Sequence, residues 1–160
     1  MEKYDLENLS RVWKRVYSED TCKIQETSPD KTKMLASFIA SEIMSASMYR
    51  LLSLKTRGSR AENILKRIAA DEVRHEKRLQ AEYFLLRGDT CPRKPAHPSA
   101  PSVLKALKDC HAAEEKAAAA YEKAAKDEEN GRLRAMFYDL ARDERRHAKE
   151  LRSLIEKFLA

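Results

Sequence analysis

The chain has 160 residues, enough for one domain with its own core and no need of disulfide staples. Charged residues make up 36% and hydrophobic residues 42%, with three glycines and five prolines; that balance is helical, and no β-branched alternating run suggests a strand. The net charge of +6 is spread among acids at helical spacing, as in KRIAADEVRHEKR, so no basic stripe with interleaved aromatics forms for nucleic acid.

In chain order, residues 1–27 stand apart. Leu6, Leu9, Trp13 and Val16 share one helical face, which predicts a short amphipathic helix that covers the end of a bundle or contacts a partner. The opening MEKYDLENLS is too polar for a signal peptide. Ser28-Pro29 then reads as an N-cap followed by proline at the first helical position, starting a helix that runs to about Thr56 and ends near Gly58. The longest apolar stretch, around residues 34–48, is interrupted by Glu42 and is too short to span a bilayer. Ser59 and Glu62 form a capping box that opens a second helix, reaching about Arg87 before Gly88.

Residues 88–101 hold four of the five prolines and are expected to be an extended connection. A third helix is expected from about Ser102 to Glu128, and Asn130-Gly131 turns the chain into a fourth that runs nearly to residue 160. Two tight turns make two antiparallel hairpins, residues 28–87 and 102–160. The link between them can stretch about 45 Å, the length of one such helix, and can therefore cross the bundle end to end. Cys22, Cys91 and Cys110 lie far apart without a Cys-x-x-Cys pair, so neither zinc, a rubredoxin-type iron centre nor thiol exchange is indicated. A reducing cytoplasm is the expected location.

A shift of 72 residues superposes the two hairpins on each other. Glu42 falls on Glu114, Ala46 on Ala118, Tyr49 on Tyr121, Ala69 on Ala141, and the DEVRHEKRL stretch from Asp71 on DERRHAKEL from Asp143. Glu42 and Glu72 lie 16 and 14 residues from Gly58, so an antiparallel turn there brings them level; Glu114 and Glu144 are likewise centred on Asn130. Glu72 and His75 are i, i+3 on one helix face, as are Glu144 and His147. One glutamate from each of two helices plus Glu-x-x-His from each of the other two is the ligand set of dinuclear carboxylate bundles. Four bare carboxylates in a core would repel one another, whereas two divalent ions supply the matching charge. Carboxylate and imidazole without thiolate suit iron, with manganese as the alternative.

By analogy with such sites, Glu72 and Glu144 bridge the two metals, Glu42 and His75 complete one coordination sphere, and Glu114 and His147 the other. Tyr49 and Tyr121, two turns beyond Glu42 and Glu114, either hydrogen-bond a ligand carboxylate or guard the site against oxidising equivalents, or are core tyrosines. For Asp71 and Asp143, surface salt bridging is favoured over a role in fixing histidine tautomers on the other hairpin. His111 reads as a core residue or one that supports the ligands, His97, Glu115 and Glu122 as solvated, and Cys110 as a buried apolar thiol.

Over residues 30–155, and most clearly in AYEKAAKDEENGRLRAMFYDLARDERRHAKEL, the sequence resembles the rubrerythrin branch of the ferritin-like superfamily. The resemblance implies an all-α, ferritin-like four-helix bundle with a dinuclear iron site that reacts with hydrogen peroxide or dioxygen, often in a homodimer. Rubrerythrins commonly append a rubredoxin domain, whose cysteines are missing here, so electrons are expected from a separate donor protein. They also commonly carry an extra glutamate one turn after the third-helix ligand, where this chain has Ala117. That leaves the symmetric six ligands also found in ferroxidases and hydroxylases. The leading expectation is a peroxide-reducing diiron protein, with iron handling or oxygen-activating hydroxylation as alternatives.

Overall fold

The computed structural model describes residues 29–159; the amphipathic helix expected over residues 1–27 and the Ser28 cap lie outside the described residues. Among the described residues four helices follow one another: α1 Pro29–Lys55, α2 Arg60–Arg87, α3 Val103–Asp127 and α4 Gly131–Leu159. Their limits fall within a residue or two of those expected, and local chemistry explains most of them. Pro29 sits where its missing N–H has no intrahelical role. The Ser102 hydroxyl accepts from the Lys105 N–H at 3.3 Å, and the Asn130 side chain accepts from the N–H groups of Arg132 and Leu133 at 3.0 and 3.1 Å, so each caps the helix it precedes. Gly88, at φ +76, closes α2 by donating its N–H to the Phe84 carbonyl at 2.7 Å.

The capping box expected at Ser59 and Glu62 does not form. The Ser59 hydroxyl donates instead to the Thr56 carbonyl at 2.6 Å, and the Glu62 carboxylate accepts from the Gly58 N–H at 2.7 Å. The last carbonyls of α1 lack intrahelical donors, and Ser59 lies close enough to satisfy one of them.

α1 packs along α2 and α3 along α4, and the hairpins meet through α2 with α4 and α1 with α3. Two apolar clusters fill the ends of the bundle. One joins Leu35, Leu79, Tyr121 and Phe137; the other joins Leu52, Leu65, Leu107 and Leu151. Burying a leucine contributes roughly 1.5–3 kcal/mol, so these clusters hold the helices in register. Cys91 belongs to the first cluster and Ala100 to the second, so the connection runs the length of the bundle, as its reach allows. Gln80 fastens its start, exchanging two 3.0 Å hydrogen bonds with the Cys91 backbone, and Arg93 pairs with the buried Glu76 at 2.8 Å. This is the four-helix, two-hairpin bundle expected from the sequence. No described helix is long and apolar enough to cross a membrane.

Candidate metal centre

Between the two apolar clusters, at mid-height, the helix interiors turn polar. Glu42 on α1, Glu72 and His75 on α2, Glu114 on α3, and Glu144 and His147 on α4 are each at most 3% exposed. An alanine stands one turn from every one of the four glutamates: Ala46, Ala69, Ala118 and Ala141, all buried. Small side chains at these positions leave room for four carboxylates where the helices would otherwise fill the space with leucine.

The six residues form two overlapping groups, Glu42, Glu72, His75 and Glu144, and Glu72, Glu114, Glu144 and His147. In each group one donor atom per residue lies within 4.8 Å of all the others, as ligands of one ion would. Glu72 and Glu144 belong to both groups, as expected of bridging carboxylates. His75 Nδ1 lies 2.9 Å from Glu144, 3.5 Å from Glu72 and 3.6 Å from Glu42. His147 Nδ1 repeats this arrangement, 2.9 Å from Glu72, 3.3 Å from Glu144 and 3.8 Å from Glu114. The two imidazole rings stack with centroids 5.8 Å apart.

The outer edges of four of these six side chains are each held by a residue of the opposite hairpin. Tyr49 donates its hydroxyl to Glu114, and Tyr121 donates its hydroxyl to Glu42. His75 Nε2 meets Asp143 at 3.3 Å, and His147 Nε2 meets Asp71 at 3.1 Å. The tyrosines therefore hydrogen-bond carboxylates of the cluster from buried positions. The aspartates do more than the surface pairing expected of them: Asp71 is 1% exposed, and an aspartate on the far nitrogen orients each ring with Nδ1 inward. Their arginine partners escaped the sequence reading. Arg146 bonds both aspartates, at 2.9 Å to Asp71 and 3.0 Å to Asp143, and Arg74 pairs with Asp71.

Other expectations divide. His111 does not support the cluster; it meets Glu115 at 3.7 Å and lines a surface pocket with Arg145, Ala148 and Arg152 of α4, because its position on α3 faces the seam between these helices. Cys110, expected as a buried apolar thiol, is half-buried. His97 and Glu115 are exposed, and Glu122 pairs with Arg145 at 2.9 Å.

Charge in this cluster is balanced by protons. Burial would lower His75, but the carboxylates of Glu144, Glu42 and Glu72 gathered around Nδ1 outweigh it and push the imidazole up to about 12. His147 is likewise raised, against its burial, by Glu114, Glu144 and Glu72. Burial and a hydrogen bond with Glu144 push Glu114 up to about 9; burial and Glu72 push Glu42 well above the usual carboxylate range. Glu72 and Glu144 stay below that range despite burial, held there by hydrogen bonds from Glu42 and Glu114 respectively and from both histidines. Protons thus occupy both imidazoles and the two outer carboxyls, making the cluster neutral. Tyr49 and Tyr121 are raised by burial first and remain donors.

The donor set fits a pair of divalent ions. Glu42 Oε2, Glu72 Oε1, His75 Nδ1 and Glu144 Oε1 are buried without a partner of hydrogen-bond geometry, although His75 Nδ1 lies within ion-pair distance of Glu144 Oε1 and Glu42 Oε2, and Glu72 Oε1 of His147 Nδ1. These four residues bring donor atoms to within 4.8 Å of one another, an arrangement that suits a cation, and buried polar atoms seldom go without a partner. Replacing four protons by two dications keeps the cluster neutral.

The rubrerythrin family matches residues 33–155 of the chain. Among solved structures, a hypothetical protein from Pyrococcus furiosus is similar, with a TM-score of 0.72 and 23% identity over 80% of this chain and 89% of that one; at such identity the likeness speaks for the fold alone. No curated protein matches the sequence. A match over most of the described bundle, on a buried carboxylate and histidine cluster compatible with a diiron site, means that the chain belongs to the rubrerythrin family.

Proposed function

We propose that the protein is a non-haem dinuclear iron redox protein that reduces hydrogen peroxide with electrons from a separate donor protein. The observation that carries this reading is the sharing of Glu72 and Glu144 between two four-residue groups. Shared carboxylates would hold two ions side by side, so that both electrons would be available at one place. Glu42 and His75 would complete one coordination sphere, and Glu114 and His147 the other. Oxygen and nitrogen donors favour iron, or manganese, over metals that prefer thiolate.

When bound, two ferrous ions supply the two electrons that, with two protons, convert one peroxide into two waters. The chain's own residues prepare that reaction. Tyr49 and Tyr121 fix the outer carboxylates through one oxygen each, leaving the other oxygen free to face inward. Asp71 and Asp143 keep Nδ1 of each histidine inward by occupying Nε2. The two apolar clusters exclude bulk water from above and below, which strengthens every charge interaction at the centre.

No Cys-x-x-Cys pair lies in these 160 residues, which is why a separate donor is invoked. A homodimer and a cytoplasmic setting, where Cys91 and Cys110 stay free thiols, complete the proposal. Protein purified without chelators is assayed for metal and, once reduced, mixed with peroxide and with oxygen in parallel. Two irons per chain and faster oxidation by peroxide support the reading. Indifference to peroxide ends it.

A further inference from the structure

We propose that the pocket beside Tyr49 is the port through which a small neutral oxidant reaches the carboxylate–histidine centre, and that Cys110 keeps it open. The proposal rests on the reading that the centre reacts with such an oxidant. Its starting point is a break in the internal symmetry. The 72-residue repeat pairs Tyr49 with Tyr121, and each tyrosine hydroxyl binds a ligand carboxylate of the opposite hairpin. What covers the two tyrosines differs.

Tyr121 is sealed. Phe38 lies on it with ring centroids 4.5 Å apart, and Phe137 stacks at 6.2 Å. A surface pocket does exist on that side, lined by Met34, Phe38, Ala120 and Ala124, but it stops at Phe38 and never reaches Tyr121. On the other side the repeat places Cys110 where Phe38 would stand and Ala106 in place of Met34. There a pocket of about 310 Å³ runs between α1, α3 and the end of the connection, and Tyr49 and Cys110 are both in its wall. Two large side chains on one half of the bundle have become two small ones on the other, and the space they vacate ends on a residue that touches the centre.

The chemistry of the wall selects what enters. Met44, Met48, Ala106, Ala113 and Cys110 make it largely apolar, and the two charged residues beside it, Lys105 and Asp109, neutralise each other at 2.5 Å. Burial pushes the Cys110 thiol up to about 12, so it is an uncharged wall residue at neutral pH. An anion would lose its hydration here without a partner; a small uncharged molecule would not. Peroxide and dioxygen are both of that kind. The floor is Tyr49, whose hydroxyl is bound to Glu114, so a molecule that seats here lies one hydrogen bond from a proposed ligand.

Two experiments test this, one without turnover. In the purified, folded protein, methyl methanethiosulfonate (neutral and small) and its anionic sulfonatoethyl analogue are compared by peptide mass spectrometry for their rates at Cys110. The port predicts at least tenfold faster labelling by the neutral reagent relative to the ratio in the unfolded chain; equal relative rates overturn it. Second, oxidation of the reduced, iron-loaded protein is timed after closing the port. Cys110→Phe, which copies the sealed side, is expected to slow oxidation at least tenfold with iron content unchanged, and adding Phe38→Ala to it is expected to restore the rate by opening the opposite side. If Cys110→Phe does not fold, a benzyl thiosulfonate adduct on Cys110 of the wild type serves as a plug that a thiol reductant removes. Wild-type rates in the plugged protein sink the port alone; a wild-type centre inert to every oxidant sinks the functional reading with it.

Discussion

Tyr49→Phe and Tyr121→Phe each remove one hydroxyl and little else, which makes them a direct probe of how the outer carboxylates are held. Both tyrosines are 1% exposed, and each donates to a glutamate that is 3% exposed. Losing the donor leaves a buried carboxylate oxygen unsatisfied, which costs about 1–3 kcal/mol. For a domain of this size each kcal/mol moves the melting temperature by about 2–4 °C, so a mid-range loss of about 2 kcal/mol corresponds to about 4–8 °C. The two variants are not expected to be equal. Beside Tyr49 the pocket reaches the side chain, and water entering it can solvate Glu114 in place of the lost hydroxyl. Tyr121 lies under Phe38 and Phe137, and water has no such path to Glu42. Tyr121→Phe should therefore be the more destabilising of the two. Thermal melts followed by helical circular dichroism, run on metal-free protein at one pH, measure both values. Melting temperatures within about 1 °C of wild type for both variants would refute the hydrogen-bond reasoning; equal losses, or a larger loss for Tyr49→Phe, would refute the asymmetry of access.

Three further outcomes follow from the cluster. Metal should raise the melting temperature, because only the folded chain gathers the ligands: at a thousandfold excess over the dissociation constant the gain is about 4 kcal/mol, and Glu72→Ala, which strips a carboxylate from both groups, should abolish it as read by melts with and without chelator. Metal uptake should release protons. His75, held at about 12, and Glu114, at about 9, carry protons at pH 7 in the metal-free protein and must lose them to coordinate, with His147 and Glu42 raised in the same direction. Affinity therefore rises with pH and falls on acidification, by about tenfold per released proton per pH unit. Calorimetric titrations in buffers of different ionisation enthalpy should count at least two protons per chain, and fewer than one would contradict the charge balance. Finally, Asp71→Asn should weaken metal binding by about 10- to 100-fold, and more than Asp143→Asn does, because Asp71 is buried and sits closer to its histidine, at 3.1 Å against 3.3 Å; a competition titration against a coloured chelator ranks the two.

Much of this was legible before any coordinates. Glycine, proline and asparagine marked the turns, and the distances of Glu42, Glu72, Glu114 and Glu144 from those turns brought the six residues of the cluster to one level. Helical spacing is rigid, and antiparallel hairpins convert equal spacing into equal height, so such arithmetic survives folding. The cap at the start of α2 was misread: Ser59 and Glu62 have the sequence of a capping box, yet nearby groups, the Thr56 carbonyl and the Gly58 N–H, took both side chains.

Tertiary structure alone decided which partner each supporting side chain meets across the hairpins. Tyr49 binds Glu114 rather than Glu42 on its own helix, and Asp71 serves His147 rather than its neighbour His75. The sealing of Tyr121 and the opening beside Tyr49 also depend on what packs across the interface. Periodicity constrains a side chain only relative to its own helix. The partner it meets is set by how two separately formed hairpins dock, and that docking is a property of whole surfaces rather than of any stretch of sequence.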